Sequence, residues 1–141
     1  MRQAAVSLSS FDHDGLGRYG DRLHPHGDLL AMRGAWRALR PGGRLLITVP
    51  VGPDVLVWNL HRRYGPLRLP LLLYGWEEVA RFGWEEARLT APASSRRSYE
   101  PLFILRRNGT EDDDLWADLP AETELGPMAR SAPRTAGHDE L

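Results

Sequence analysis

A chain of 141 residues without a cysteine accommodates one domain and a tail, and it excludes disulfides, thiolate chemistry and a disulfide-stapled scaffold. No window approaches 18 unbroken apolar residues and no basic-then-apolar signal pattern opens the chain, so neither a membrane span nor a leader is expected, and a cytoplasmic location is. The net charge of −1 conceals an asymmetry: residues 1–107 carry 16 arginines against 10 acids, and residues 108–141 carry 2 against 9.

In chain order, "QAAVSLSSF" alternates and then turns polar, as a buried strand does on reaching a sheet edge. A loop rich in glycine and charge follows, "SSFDHDGLGRYGD" (Ser9–Asp21). "GDLLAMRGAWRALRPGG" then reads as a helix. Asp28 suits its cap, Leu29, Met32, Trp36 and Leu39 recur at helical spacing, Arg37 and Arg40 suit its carboxyl end, and Pro41-Gly42-Gly43 stops it. "RLLITVPVG" is a short apolar run with β-branched residues at its centre, hence a buried strand. Strand, helix and strand with short joints predict a βαβ unit with two parallel strands.

"RLPLLLYGWEEVARFG" predicts a second helix beginning near Pro70, and "WEEARLT" and "EPLFILRR" predict two more strands joined by the polar loop "APASSRRSY". Parallel sheets need both faces covered, and two helices for four strands leave one face of the first βαβ unit bare. A second chain or a homodimer partner is the expected cover, or else the chain is a carboxyl-terminal half. Residues 108–141, rich in Pro, Thr, Glu and Asp, cannot offset their ordering entropy and are expected to form a disordered acidic tail. Leu115, Trp116 and Leu119 are its one sticky stretch, either folded loosely over the basic body or a partner-binding motif.

The glycines of "GLGRYG" do not make a dinucleotide loop, because that loop needs a strand directly before it and a helix directly after. "HPHGD" sets His24, His26 and Asp28 at a spacing known from binuclear metal sites. The next position is Leu29 and no second ligand cluster follows, so no metal is expected. All 18 basic residues are Arg, which coding bias explains more simply than phosphate recognition. Without a basic–aromatic ladder, nucleic-acid binding is not expected.

A strand ending in Ser-x-x-acid-His-type sequence, a helix ending "WRALRPGG" and a strand "RLLITVP" resemble the second half of a class I S-adenosylmethionine-dependent methyltransferase. "HDGLGRYGD" followed by "NLHRRYGPLRLPLLLYGW" is similar, more narrowly, to a methyltransferase-like family catalogued as a domain of unknown function. The likeness covers about residues 5–107. It implies an α/β fold, part of a Rossmann-like methyltransferase domain: strands four to seven, a mainly parallel sheet with a terminal antiparallel strand. The Gly-x-Gly-x-Gly loop and the strand-two acid that hold S-adenosylmethionine in that superfamily have no counterpart here, so cofactor binding is expected only where an amino-terminal half is supplied. Independent catalysis by this chain is accordingly not expected.

Methyl transfer requires alignment and, for some acceptors, removal of a proton. On the resemblance, His13 is the candidate base and Asp12 the carboxylate beside it, Asp14 being the alternative. Ser10, Asp14, Arg18, Tyr19 and Asp21 would line the substrate side, with Asn59, His61, Arg62 and Tyr64 as a second polar cluster at the same sheet edge. Competing accounts are a histidine bonded at a strand end, and a plain amphipathic turn over residues 58–65. The small-molecule substrate is not legible. The alternative to an enzyme is a non-catalytic interaction module docking through the bare sheet face.

Overall fold

The computed structural model describes residues 1–94 and 96–108. The stretch expected to form an acidic tail lies, apart from Asn108, outside them. The chain forms a four-stranded mixed sheet with helices on one face. It runs β1 (Arg2–Leu8), a 3-10 turn (Phe11–His13), α1 (Gly27–Ala38), β2 (Leu39–Thr48), β3 (Val55–Val57), β4 (His61–Arg63), α2 (Arg68–Leu73), β5 (Trp76–Phe82), a 3-10 turn (Glu86–Leu89) and β6 (Leu102–Arg107). The sheet order is β1-β2-β6-β5, and β3 and β4 form a separate hairpin.

The predicted β1-α1-β2 unit is present, with β1 and β2 parallel and Ala5 beside Leu45. The last strand, β6, inserts between β2 and β5 and is antiparallel to both, so the ladders are one parallel and two antiparallel rather than mainly parallel. Alternation decides the faces. Leu45, Ile47, Phe103 and Leu105 point into one core with Leu29, Met32 and Trp36 of α1 and with Leu69 and Leu72 of α2. The neighbouring rows Val6–Leu46–Ile104 and Leu8–Thr48–Leu102 occupy the opposite face, where Val6 and Leu8 are 64% and 62% exposed.

Several sequence expectations need correction. The predicted second helix lasts only from Arg68 to Leu73. Gly75 at φ +82° breaks it, and Trp76–Phe82 becomes a strand because pairing with β6 outweighs its helical appearance. "WEEARLT" is not a strand: Glu86–Leu89 is a 3-10 turn held by Trp84 Nε1 donating to Glu86 and Arg88 donating to Glu85. α1 stops at Ala38, and Leu39 already pairs with Arg2. Residues 40–43, including Pro41-Gly42-Gly43, bulge out opposite Gln3 instead of merely ending the helix. The β3–β4 hairpin was not expected at all. Its turn places Asn59 at φ +59°, a conformation asparagine tolerates. No helix among the described residues is long and apolar enough to cross a membrane.

Candidate functional site

The site is built at the carboxyl end of β1. Ser9, at φ +49°, turns the chain off the strand while its N–H donates to the Thr48 carbonyl at 3.0 Å. The N–H of His13 then closes a 3-10 turn on the Ser10 carbonyl at 3.1 Å. The loop beyond is folded onto itself. One carboxylate oxygen of Asp21 accepts the N–H of Gly15 at 2.7 Å, and both oxygens face further backbone N–H groups, of Gly17 and Tyr19, at 3.4 Å. Gly15 sits at φ +80°, and a Cβ there would run into the His24 carbonyl, so this crossing admits only glycine.

A buried cationic hub fixes this loop to the hairpin. Arg62 donates to the carbonyls of Asp14 (2.5 Å), His24 (3.2 Å), Pro25 (3.3 Å) and Asp12 (3.5 Å), and its Nε lies 3.6 Å from Asp28. Asp28 is fully buried inside α1, whose cap position is His26, so its expected capping role is corrected to that of a buried counter-ion. It accepts from the Tyr64 hydroxyl at 2.8 Å and takes Arg68 in a two-point contact at 2.6 and 3.0 Å. Burial and the neighbouring carboxylate hold the Tyr64 hydroxyl well above its usual pKa. Arg62, Tyr64 and Asp21, expected to grip substrate, thus have their polar groups committed to holding the loop.

Asp12 and His13 do come together. Asp12 is fully buried, and neither of its carboxylate oxygens has a hydrogen-bond partner among the described residues. His13 Nε2 stands 3.5 Å from one of them, a charge contact longer than a hydrogen bond. His13 Nδ1 meets the Leu60 carbonyl, which puts the proton of a neutral ring on Nδ1 and leaves the lone pair on Nε2. Burial drives Asp12 up from the ordinary 3.8 to about 6; the His13 charge opposes this, and Glu100 and Asp14 add to it. Burial likewise raises Asp14 and lowers His61.

Of the other expected residues, Tyr19 lies edge-on to His13 at 5.7 Å and Arg18 lies over the Tyr19 ring at 5.6 Å. His61 stands 6.4 Å from His13. These form one exposed-to-half-buried mouth. Ser10 is exposed and caps nothing with its side chain, and Asn59 is a turn residue.

A cavity of about 800 Å³ lies between the loop, the hairpin and the start of α2. Its lining includes Leu16, His24, Leu56, Trp58, Arg63 and Leu71, but neither Asp12 nor His13. Sequence reasoning missed this cavity and, apart from Arg62, which also lines it, did not assign its residues to a binding site. His24 stood out only as part of a metal-like spacing, and among the described residues no group of three or more His, Asp or Glu side chains could hold a metal ion. Nothing local in the sequence marks Arg63 or Asp54. The one available signal was Val55-Leu56-Val57 ahead of Asn59, a strand followed by a turn residue.

The chain is thus a mixed α/β protein whose candidate site is a loop beyond its parallel edge strand. The family model described as "Caenorhabditis protein of unknown function, DUF268" matches residues 2–108, and the chain belongs to that family. No curated protein and no solved structure matches it.

Proposed function

We propose that this is a methyltransferase-like protein: the acceptor side of a Rossmann-like, S-adenosylmethionine-dependent domain in which Asp12 and His13 handle a proton. The observation that carries the reading is Asp12, a buried carboxylate without a hydrogen-bond partner among the described residues, facing an imidazole lone pair beyond the end of a parallel strand. The last strand being the antiparallel one, inserted beside β2, also agrees with it.

The described residues do not fit S-adenosylmethionine itself. Gly15 is closed against His24 and Gly27, and Gly17 against Leu23, so neither offers a cradle. The reading therefore needs a donor-holding surface from outside these residues. The chain's own chemistry is proton removal: Nε2 takes a proton from an acidic O–H or N–H, Nδ1 stays anchored on Leu60, and ionised Asp12 stabilises the imidazolium that forms.

The test is transfer of a labelled methyl group from S-adenosylmethionine by the chain isolated from native cells with the proteins that accompany it. His13→Gln is expected to lower turnover about a hundredfold without changing the isolated assembly. Unchanged turnover contradicts the role of His13, and absence of transfer by the unaltered protein contradicts the reading.

A second reading, an interaction module without catalysis, is favoured by the apolar rows around Val6 and Leu8 on the second sheet face, next to the edge of β1 that pairs with no strand among the described residues. A second chain covering that face would serve either reading. A Val6→Glu, Leu8→Glu variant is expected to lose association while keeping its fold, and undiminished association contradicts docking there.

A further inference from the structure

The mouth over the Asp12–His13 pair is lined by basic groups, and that limits what it can hold. Tyr19 and His61 stand edge-on to His13, at 5.7 and 6.4 Å between ring centroids, so the two rings flank the same imidazole. Arg18, itself exposed, lies over the Tyr19 ring at 5.6 Å. A guanidinium resting on a ring face keeps its N–H edge for an acceptor. Neither Arg18 nor the His61 ring has a side-chain hydrogen bond or ion pair among the described residues.

The surrounding charges agree. On β4, His61 and Arg63 are two positions apart and so leave the strand on one face, with Arg62 turned to the other. The His61 imidazolium is held below its usual range, first by burial and then by the charges of His13, Arg63 and Arg18. Glu100 opposes them, and its carboxylate accepts the Ser9 hydroxyl at 2.8 Å. Of the loop's own carboxylates, Asp12 is fully buried, Asp14 lies within the field of Arg62, and Asp21 is taken up by backbone N–H groups. Positive charge gathered without counter-ions of its own favours an entering anion.

We propose that the mouth binds a small molecule carrying an oxyanion, a carboxylate or a phosphate, between Arg18 and His61, with a hydroxyl or N–H of the same molecule turned to His13. Naming that molecule as the methyl acceptor rests on the proton-handling reading of Asp12 and His13, whereas the anion site rests on the basic groups alone. A bound anion also stabilises the imidazolium that forms on His13, so one charge serves both binding and proton removal.

The probes are glycerol 3-phosphate and glycolate, each an oxyanion near a hydroxyl, with glycerol as the neutral body. They are titrated into the full chain while the ring signals of His13 and His61 are followed by NMR. Both anions are expected to shift the two rings saturably and to raise the His61 pKa, and glycerol to do neither. The tighter anion names the head as phosphate or carboxylate, and either ranking supports the site. Arg18→Gln, at an exposed position, is expected to weaken the tighter anion about three- to fivefold. No saturable shift, equal shifts with glycerol, or unchanged affinity in Arg18→Gln overturns the site. The readout needs no methyl donor. Anion binding without methyl transfer therefore leaves the site standing and overturns the acceptor assignment alone. Methyl transfer to a neutral acceptor, with no anion bound, overturns the site and leaves the reading of Asp12 and His13 intact.

Discussion

The Tyr64 hydroxyl donates to the Asp28 carboxylate at 2.8 Å, joining the residue after β4 to the first turn of α1 inside the protein. Around this bond Arg68 grips the same carboxylate from the start of α2, and Arg62 stands 3.6 Å away. Three elements thus meet on one buried negative charge. Asp28→Asn leaves both guanidinium groups short of a counter-ion and is expected to destabilise the fold by about 3–5 kcal/mol, against about 1–2 kcal/mol for Tyr64→Phe. Urea unfolding of the two variants checks the ranking, and equal losses would remove Asp28 from the centre of the network.

Arg62 acts as a planar fork, and its four carbonyl acceptors need that shape. Arg62→Lys keeps the charge but cannot reach Asp14, His24 and Pro25 together. It is expected to cost about 2–4 kcal/mol and to speed amide exchange in the Asp14–Pro25 loop before the sheet. A variant as stable and as protected as the parent would show that the loop holds itself.

Asp54 links the cavity wall to α2 by accepting three backbone N–H groups. Partial burial pushes its pKa up, but those hydrogen bonds outweigh it and hold the carboxyl below its ordinary value. The stabilisation is therefore present above the unfolded pKa and lost as pH falls through the folded one. Asp54→Ala is expected to cost about 1 kcal/mol at neutral pH, shrinking as the solution is acidified below about pH 4. A loss independent of pH would assign the effect to packing alone.

How much of this was legible in the sequence depends on whether local pattern and tertiary pairing agree. Leu45, Leu46 and Ile47 form an unbroken apolar run leading into β-branched Thr48, so β2 announces itself; Leu29, Met32 and Trp36, at helical spacing, do the same for α1. Trp76–Phe82 does not, because its Glu-Glu-Val-Ala run suits a helix, and only the β6 partner, with Glu77 beside Arg106, makes it a strand. That the described helices cover only one sheet face was legible from the count of helices. Contact between Asp12 and His13 follows from adjacency, but the burial of Asp12 does not, since it depends on Arg62 drawing the loop down from fifty positions away. The cavity was illegible for the same reason: its walls come from three segments joined by distant contacts of Arg62, Asp54 and Arg68.

Asp12 provides a test of the opposite sign. Its folded pKa lies above the unfolded value, so the folded state binds the proton more tightly and stability falls as pH rises from about 4 towards 6. Above that range the buried charge costs on the order of 3 kcal/mol. Asp12→Asn is expected to be more stable than the parent at pH 8 and equal to it at about pH 4, the mark of a group kept at the expense of stability. A less stable variant at pH 8 would mean that Asp12 serves the fold.

The most direct test of the central claim is a carbon NMR titration of the Asp12 carboxyl in the full chain. The account predicts a midpoint near 6, moved higher in His13→Gln because the His13 charge holds it down. A midpoint of about 4 that ignores His13, as for a carboxylate in water, would contradict the proton-handling pair and the function built on it.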